Sequence, residues 1–214
     1  ALPVSAMIGA AAICIAILVG TPLGVLGAVR RHGVIDAGVT LLSLIGISIP
    51  TFVAGSLLLI IFSIHLGMFP VGGWGSAKHL PLPAVTLALP FIAYVARLVR
   101  AGMLDVMGSD FVRTAVAKGA SRPSVIWRHA FPVAFLPVLS FLGPAAAQAM
   151  TGSFVVEKVF GVPGLGQHFV NAALNRDIGL ILSTVLVFAT LLIVPNIARA
   201  LLYACLDPRI MDAV

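Results

Sequence analysis

The side chains able to do chemistry are few: the 214 residues hold 7 acids, 13 Lys or Arg, 5 His and 2 Cys. Histidines 32, 65, 79, 129 and 168 are what a metal centre would use. No two of them stand at the i,i+3 or i,i+4 spacing that sets ligands on one helix face, and no metal site is expected. Ser153 in "TGSF" and His168 offer the nucleophile and base of an intramembrane serine protease, but no orienting acid or set of oxyanion donors accompanies them. The Gly-rich "GVPGLGQ" at 161–167 lacks the Lys and hydroxyl of a G-x-x-x-x-G-K-[ST] phosphate loop, so it does not read as a nucleotide site. Cys14 and Cys205 fall in or at the end of apolar windows and read as small packed hydrophobes.

What remains is a cluster of cations, "DFVRTAVAKGASRPSVIWRHAFP", from Asp110 to Pro132. Ser109 or Asp110 can cap a short helix, Gly119 can take the left-handed conformation that ends it, and Ser121 can cap a second helix with Pro123 in its first turn. The expected object is a helix, a glycine turn and a second helix. Such an elbow is either a well-capped basic loop or a docking element whose anchors are Phe111, Ala115 and Val116.

The elements around it are membrane spans. Hydrophobic residues make up 60% of the chain and charged ones 9%, and the mean hydropathy is +1.14. About five windows approach the length of about 20 apolar residues that a spanning helix needs: Val4 to Val29, Val39 to Leu66, Pro83 to Val99, Phe131 to Met150 and Ile178 to Tyr203. The runs are uninterrupted rather than alternating, which predicts an all-α polytopic helical bundle and not a barrel. No repeat or linker divides the chain, so residues 1–214 form a single transmembrane domain, with 110–129 and 151–177 as its notable connections.

Charge sets the topology. Arg30, Arg31, Arg97, Arg100, Arg113, Lys118, Arg122, Arg128, Arg199 and Arg209 fall on one side, and Lys78, Lys158 and Arg176 on the other. The positive-inside rule puts the N-terminus outside and the C-terminus in the cytoplasm. The net charge of +6 is thereby explained without nucleic acid. Spans almost empty of charge away from their ends also disfavour an ATP-independent transporter, which commonly buries ionisable groups in its helices. Pro22 and Pro50 read as kink or packing devices. In the outside connection, Phe169, Val170, Ala173 and Leu174 recur at helical spacing and predict a short interfacial or re-entrant helix.

"RTAVAKGAS", "WRHAFPVAFLPV", "GSFVVEKVFGVPGLG", "LNRD" and "LLYACLDPRI", in that order, resemble the dipeptide/oligopeptide/nickel branch of the ABC importer permeases, and "GTPLGVLGAVRR" and "SIPTFVAGSLLL" fit the same branch upstream. The family's coupling motif, E-A-A-x3-G-x9-I-x-L-P, is met at Ala115, Gly119 and Pro132; Arg113 stands at its Glu, Thr114 at its first Ala, His129 at its Ile and Phe131 at its Leu. The resemblance covers essentially the whole chain.

It implies a type I importer permease fold of about six spans in a bacterial inner membrane, of which this chain would lack the first. The chain would be half of a pore shared with a second homologous permease, driven by two ATP-binding subunits and fed by an external substrate-binding protein. It would bind no cofactor itself, ATP and Mg belonging to the partner subunits. The cargo would be a dipeptide or oligopeptide, or else nickel or another small solute. Phe111, Arg113, Thr114, Ala115, Lys118, Gly119 and Pro132 would couple to the ATPase, and Glu157, Phe160, Pro163, Gly164 and Gly166 would touch the binding protein or gate the pore. Gln148 is a candidate for the pathway or for an interhelical hydrogen bond.

Overall fold

The computed structural model describes residues 1–151 and 154–206, and among these every regular element is helical. Ser153 and Arg209 lie outside the described residues, as do the side chains of Arg199 and Cys205. Helix α1 spans Leu2–Val29 and continues through Pro22. Helices α2 (Val34–Ser48) and α3 (Thr51–Leu58) follow, and α3 runs on as a π-helical segment, Leu59–His65. After a loop with one 3₁₀ turn, Ala77–His79, comes α4 (Pro81–Met107). The basic connection contributes α5 (Asp110–Ala117) and α6 (Arg122–Ser124), a π-helical segment Val125–Ala130, and α7 (Phe131–Ala134). Then come α8 (Leu136–Thr151), α9 (Phe154–Val159), α10 (Leu165–Leu174) and α11 (Ile178–Leu206).

All five expected apolar windows fall on helices, but the fourth is divided at Phe135 between α7 and α8, and the second is not one helix either. It breaks at Ile49, whose backbone is extended (φ −77°, ψ 123°), the conformation favoured for a residue before proline, whereas α1 continues through Pro22. Among the described residues, Leu2–Val29, Ala77–Met107 and the run that begins at Leu136 are long and apolar enough to cross a membrane; the α2–α3 pair makes a fourth if it crosses as one broken span. The fifth window lies on α11, a helix of 29 residues whose fully described apolar part is Ile178–Val194.

The chain divides into two compact units. The first combines 1–13, 51–87 and the segment from Leu142 onward; the second combines 14–50 and 88–141. In the second unit, the C-terminal half of α1 lies directly on α4. A Cβ at Gly20 would stand 2.8 Å from the Ile92 carbonyl, and one at Gly24 would stand 2.5 Å from that of Ala96, so this G-x-x-x-G pair is what permits the backbones to meet. Val95, Val99 and Met103 of α4 are fully buried there, with Ala130, Ala134 and Val138 completing the core. In the first unit, Ile8 and Ala12 of α1 and Thr86 of α4 are fully buried, and Val156, Phe160 and Val162 pack with them.

Helix α4 has 27 residues, about 40 Å at 1.5 Å per residue, longer than a hydrocarbon layer of about 30 Å. Arg97, Arg100 and Asp105 all occupy its second half, so the overhang carries the charge.

Candidate functional site

Two stretches of irregular chain hold the expected site residues, one in each unit. In the second unit, α4 ends at Met107 and a two-residue link leads into α5. Ser109 is the N-cap by backbone geometry (φ −75°, ψ 156°), and its carbonyl accepts the Arg113 N–H at 3.1 Å. Its hydroxyl does not cap: it donates backward to the Val106 carbonyl at 2.6 Å. Asp110 instead supplies the negative charge that favours a helix start.

The far end of α5 is closed by the chain itself. Gly119 takes φ +84°; its N–H donates to Val116 O at 2.9 Å, and the Ala120 N–H donates to Ala115 O at 3.1 Å. This pair of bonds is the Schellman closure, and it depends on a residue that tolerates the left-handed region. Ser121 then starts α6 with Pro123 in the first turn, as the sequence predicts, although without a side-chain cap.

One feature of this elbow is absent from the sequence reading. Residues Val125–Ala130 are π-helical, with the Phe131 N–H reaching Ile126 O. Pro132 has no N–H and its ring crowds the carbonyl four residues back, and the wider turn accommodates both. Trp127, Phe131 and Phe135 stack along it at centroid distances of 5.3 and 5.2 Å.

Across α5 one side chain, Val112, is buried, while Phe111 and Val116 are 46% and 56% exposed. Arg113, Thr114, Lys118, Gly119 and Pro132 are exposed and Ala115 is half-buried. Arg113 makes a loose contact with Asp110 at 3.4 Å, both side chains largely in the open. The helix is a projecting object with an apolar residue near each end and cations between and beyond them.

The other stretch, in the first unit, is built the opposite way. Glu157 of α9 is fully buried. Its Oε1 accepts the Ser5 hydroxyl at 2.6 Å, and its Oε2 accepts the Gly166 N–H at 2.8 Å. Ser5 Oγ in turn accepts the Leu165 N–H at 2.9 Å. The first two N–H groups of α10 would otherwise be orphans, since the N-cap Gly164 has no side chain. They are capped instead by Ser5 of α1, 160 positions away, and by Glu157 of the preceding α9.

Glycine is required where the carboxylate arrives. A Cβ at Gly164 would overlap the Glu157 carboxyl group, and one at Gly166 would overlap Phe154. Phe160, 2% exposed, reaches Gly55 with its ring and accepts the Gly73 N–H at 3.1 Å with its carbonyl. Of the five residues expected to face a binding protein, Glu157, Phe160, Gly164 and Gly166 are therefore buried, and Pro163 is exposed. The expected helix in 165–174 is present, but its buried residues are Gly166 and Ala172, while Leu174 is 75% exposed. Gln148 is exposed on α8.

A third cluster, Asp36 and Arg100, was not anticipated. The guanidinium grips the carboxylate with two bonds, Nε to Oδ1 at 2.5 Å and Nη2 to Oδ2 at 2.9 Å. Asp36 also accepts the His32 N–H at 3.0 Å, closing the turn between α1 and α2. The available signal was an acid inside an otherwise apolar helix. Among the described residues no three His, Cys, Asp or Glu side chains converge as metal ligands.

The geometry gives apolar helices with one short, exposed helix between them, and the comparisons with known proteins supply the class. The family model described as "Binding-protein-dependent transport system inner membrane component" matches residues 20–212. The chain belongs to that family and is a multi-pass inner-membrane permease subunit. It is 42% identical over 212 residues to the oligopeptide transport system permease protein OppB of Haemophilus influenzae, covering 98% of this chain and 69% of the relative. It is 45% identical over 210 residues to OppB of Escherichia coli K12, covering 97% and 69%. It is 42% identical over 208 residues to the dipeptide transport system permease protein DppB of Bacillus subtilis, covering 97% and 68%. In fold it matches a chain of an inward-facing MetNI methionine ABC transporter with a TM-score of 0.78 at 17% identity, over 95% of this chain and 93% of that one. An amino acid ABC transporter crystallised with histidines gives 0.65 at 18%, over 96% and 90%.

Proposed function

We propose that this chain forms half of the pore of an ATP-driven importer of dipeptides or oligopeptides, and that α5 is its docking helix for an ATPase subunit. The cargo class is supported by the relatives at 42–45% identity, whose names specify dipeptide and oligopeptide transport. The single observation that carries the coupling role is α5 itself: a short helix closed at a fixed glycine turn, with Phe111 and Val116 offered to solvent. An apolar anchor ringed by cations is the pattern of a helix that enters a groove on a partner. A Schellman closure at one end and a helix running back into the bundle at the other make it a stiff lever.

The complex would contain a second homologous permease, two ATP-binding subunits and an external substrate-binding protein. ATP and Mg would sit in the ATP-binding subunits, and hydrolysis would drive the pore only insofar as ATP favours one of its conformations. The excess of Lys and Arg beside α4 to α7 supports an N-terminus outside and a C-terminus in the cytoplasm. In that orientation the Glu157 loop faces the binding protein, and Lys158, Gly161 and Pro163 are its accessible residues.

The test is affinity purification of the full-length parent protein, wild type against a variant lacking Asp110–Lys118, scored for a co-purifying ATPase and for ATP-dependent peptide uptake. The reading expects both to be lost with the membrane bundle still folded. An ATPase that remains bound to the deletion variant would overturn it.

A further inference from the structure

Arg113 is the coupling-region residue whose type departs most from the family motif, and the structure gives it company. With Arg31, just beyond the end of α1, and Arg122, at the start of α6, it lines a cavity of about 490 Å³. The remaining walls are Ala28 and Val29 from the last turn of α1 and Leu104, Met107 and Gly108 from the end of α4. The volume is in the range of small-ligand sites, about 300–1,000 Å³.

No carboxylate lines this cavity. The ion pair at its rim, Arg113 to Asp110, is 3.4 Å long with side chains 74% and 97% exposed, and such pairs hold little free energy in water. Three guanidinium groups at one concavity repel one another unless an anion sits among them. Their planar forks suit the oxygens of a phosphate.

The walls narrow the choice of anion. One side is aliphatic and belongs to the last turns of α1 and α4, two helices long and apolar enough to cross a membrane; the other side is cationic. A free phosphate or an acidic side chain has no use for the aliphatic side, whereas a glycerophospholipid presents a phosphate joined to apolar acyl chains. Basic pockets between helix ends are recognised sites for such headgroups. We infer that Arg31, Arg113 and Arg122 form a binding site for the phosphate headgroup of an anionic phospholipid, seated where α1 and α4 end and α5 begins. The lipid would tether the first turn of α5 to the membrane surface, and it gives Arg113 a role that an acid at the same position could not fill.

The inference concerns the same connection as the docking proposal but is tested by binding alone, which depends neither on the orientation of the chain nor on any ATPase. The full-length permease complex, purified in detergent, is titrated with phosphatidylglycerol and with phosphatidylcholine and analysed by native mass spectrometry. Phosphatidylglycerol is expected to be retained selectively, and the Arg31→Ala/Arg122→Ala variant to lose affinity roughly fivefold per arginine removed. Arg128→Ala, an exposed cation of the same connection outside the cavity, is expected to leave retention unchanged. Arg31→Lys/Arg122→Lys is expected to keep part of the affinity, because the charge stays while the fork is lost. Equal retention of the two lipids overturns the inference, as does an Arg128→Ala loss as large as that of the cavity variants, which would mean a diffuse basic surface. Displacement of phosphatidylglycerol by millimolar inorganic phosphate would identify a free-phosphate site and overturn the lipid assignment.

Discussion

The Glu157 loop and the α5 connection are both irregular, glycine-dependent links between apolar helices, yet they spend their polar groups in opposite ways. The first turns inward: its acid is buried, satisfied by Ser5 and by the Gly166 amide, and its glycines exist so that the carboxylate can reach the start of α10. The second turns outward: its charges are exposed, its helix end is closed by backbone bonds alone, and two large apolar side chains are left unburied. An inward-turned loop is a joint that fixes the helices it connects. An outward-turned helix with unburied apolar residues is a surface waiting for a partner. The contrast says that the two links fail differently when mutated, one through stability and the other through assembly.

The largest stability effect is expected at Glu157. Glu157→Ala removes a buried acceptor and leaves the Ser5 hydroxyl and the Gly166 N–H without it, which should destabilise the fold by about 3 kcal/mol or more. Thermal unfolding of the detergent-solubilised protein checks this, and Glu157→Gln should recover part of the loss because one carbonyl oxygen can still accept. Gly164→Ala in the same loop forces a methyl group against the carboxylate and should cost about 1–3 kcal/mol. An unchanged melting temperature in either variant would mean that the loop is not the joint described.

Gly119 lies between the extremes. A Cβ there meets nothing within 4 Å, so Gly119→Ala carries only the backbone cost of φ +84°, about 1–2 kcal/mol. Gly119→Pro also removes the N–H that donates to Val116 and cannot take that φ; it should abolish ATP-driven uptake through the loss of a defined lever. Normal uptake by Gly119→Pro, measured in proteoliposomes, would break the lever account.

Much of this was legible in the sequence and some was not, for physical reasons that differ by residue. Helix content and the positions of the apolar runs followed from composition, because lipid leaves few alternatives for the backbone. The turn at Gly119 followed from local chemistry, a glycine set between a helical run and a Ser-x-Pro start. Pro50 reads as a kink device, but the apolar pattern runs straight across it and does not show that the bend reaches 101°, with Ile49 in an extended conformation. The π-helical turn before Pro132 and the backward-bonded Ser109 hydroxyl are choices among nearly equal local geometries. The Glu157–Ser5 bond and the Asp36–Arg100 clamp join residues 152 and 64 positions apart, a separation over which no local pattern carries information.

The smallest stability effects are expected on α5. Phe111→Asp changes an exposed residue and should alter the melting temperature little, within about 0.5 kcal/mol, as is usual for surface positions away from special features.

That variant also gives the most direct test of the central claim, that the exposed face of α5 is a docking surface. The quantity to measure is the affinity of the ATPase subunit for the full-length permease complex in nanodiscs, wild type against Phe111→Asp, with melting temperatures recorded on the same samples. The account predicts a fall of at least tenfold in affinity with an unchanged melting temperature. Equal affinities at equal stability would contradict it and reduce α5 to a basic loop with a well-made turn.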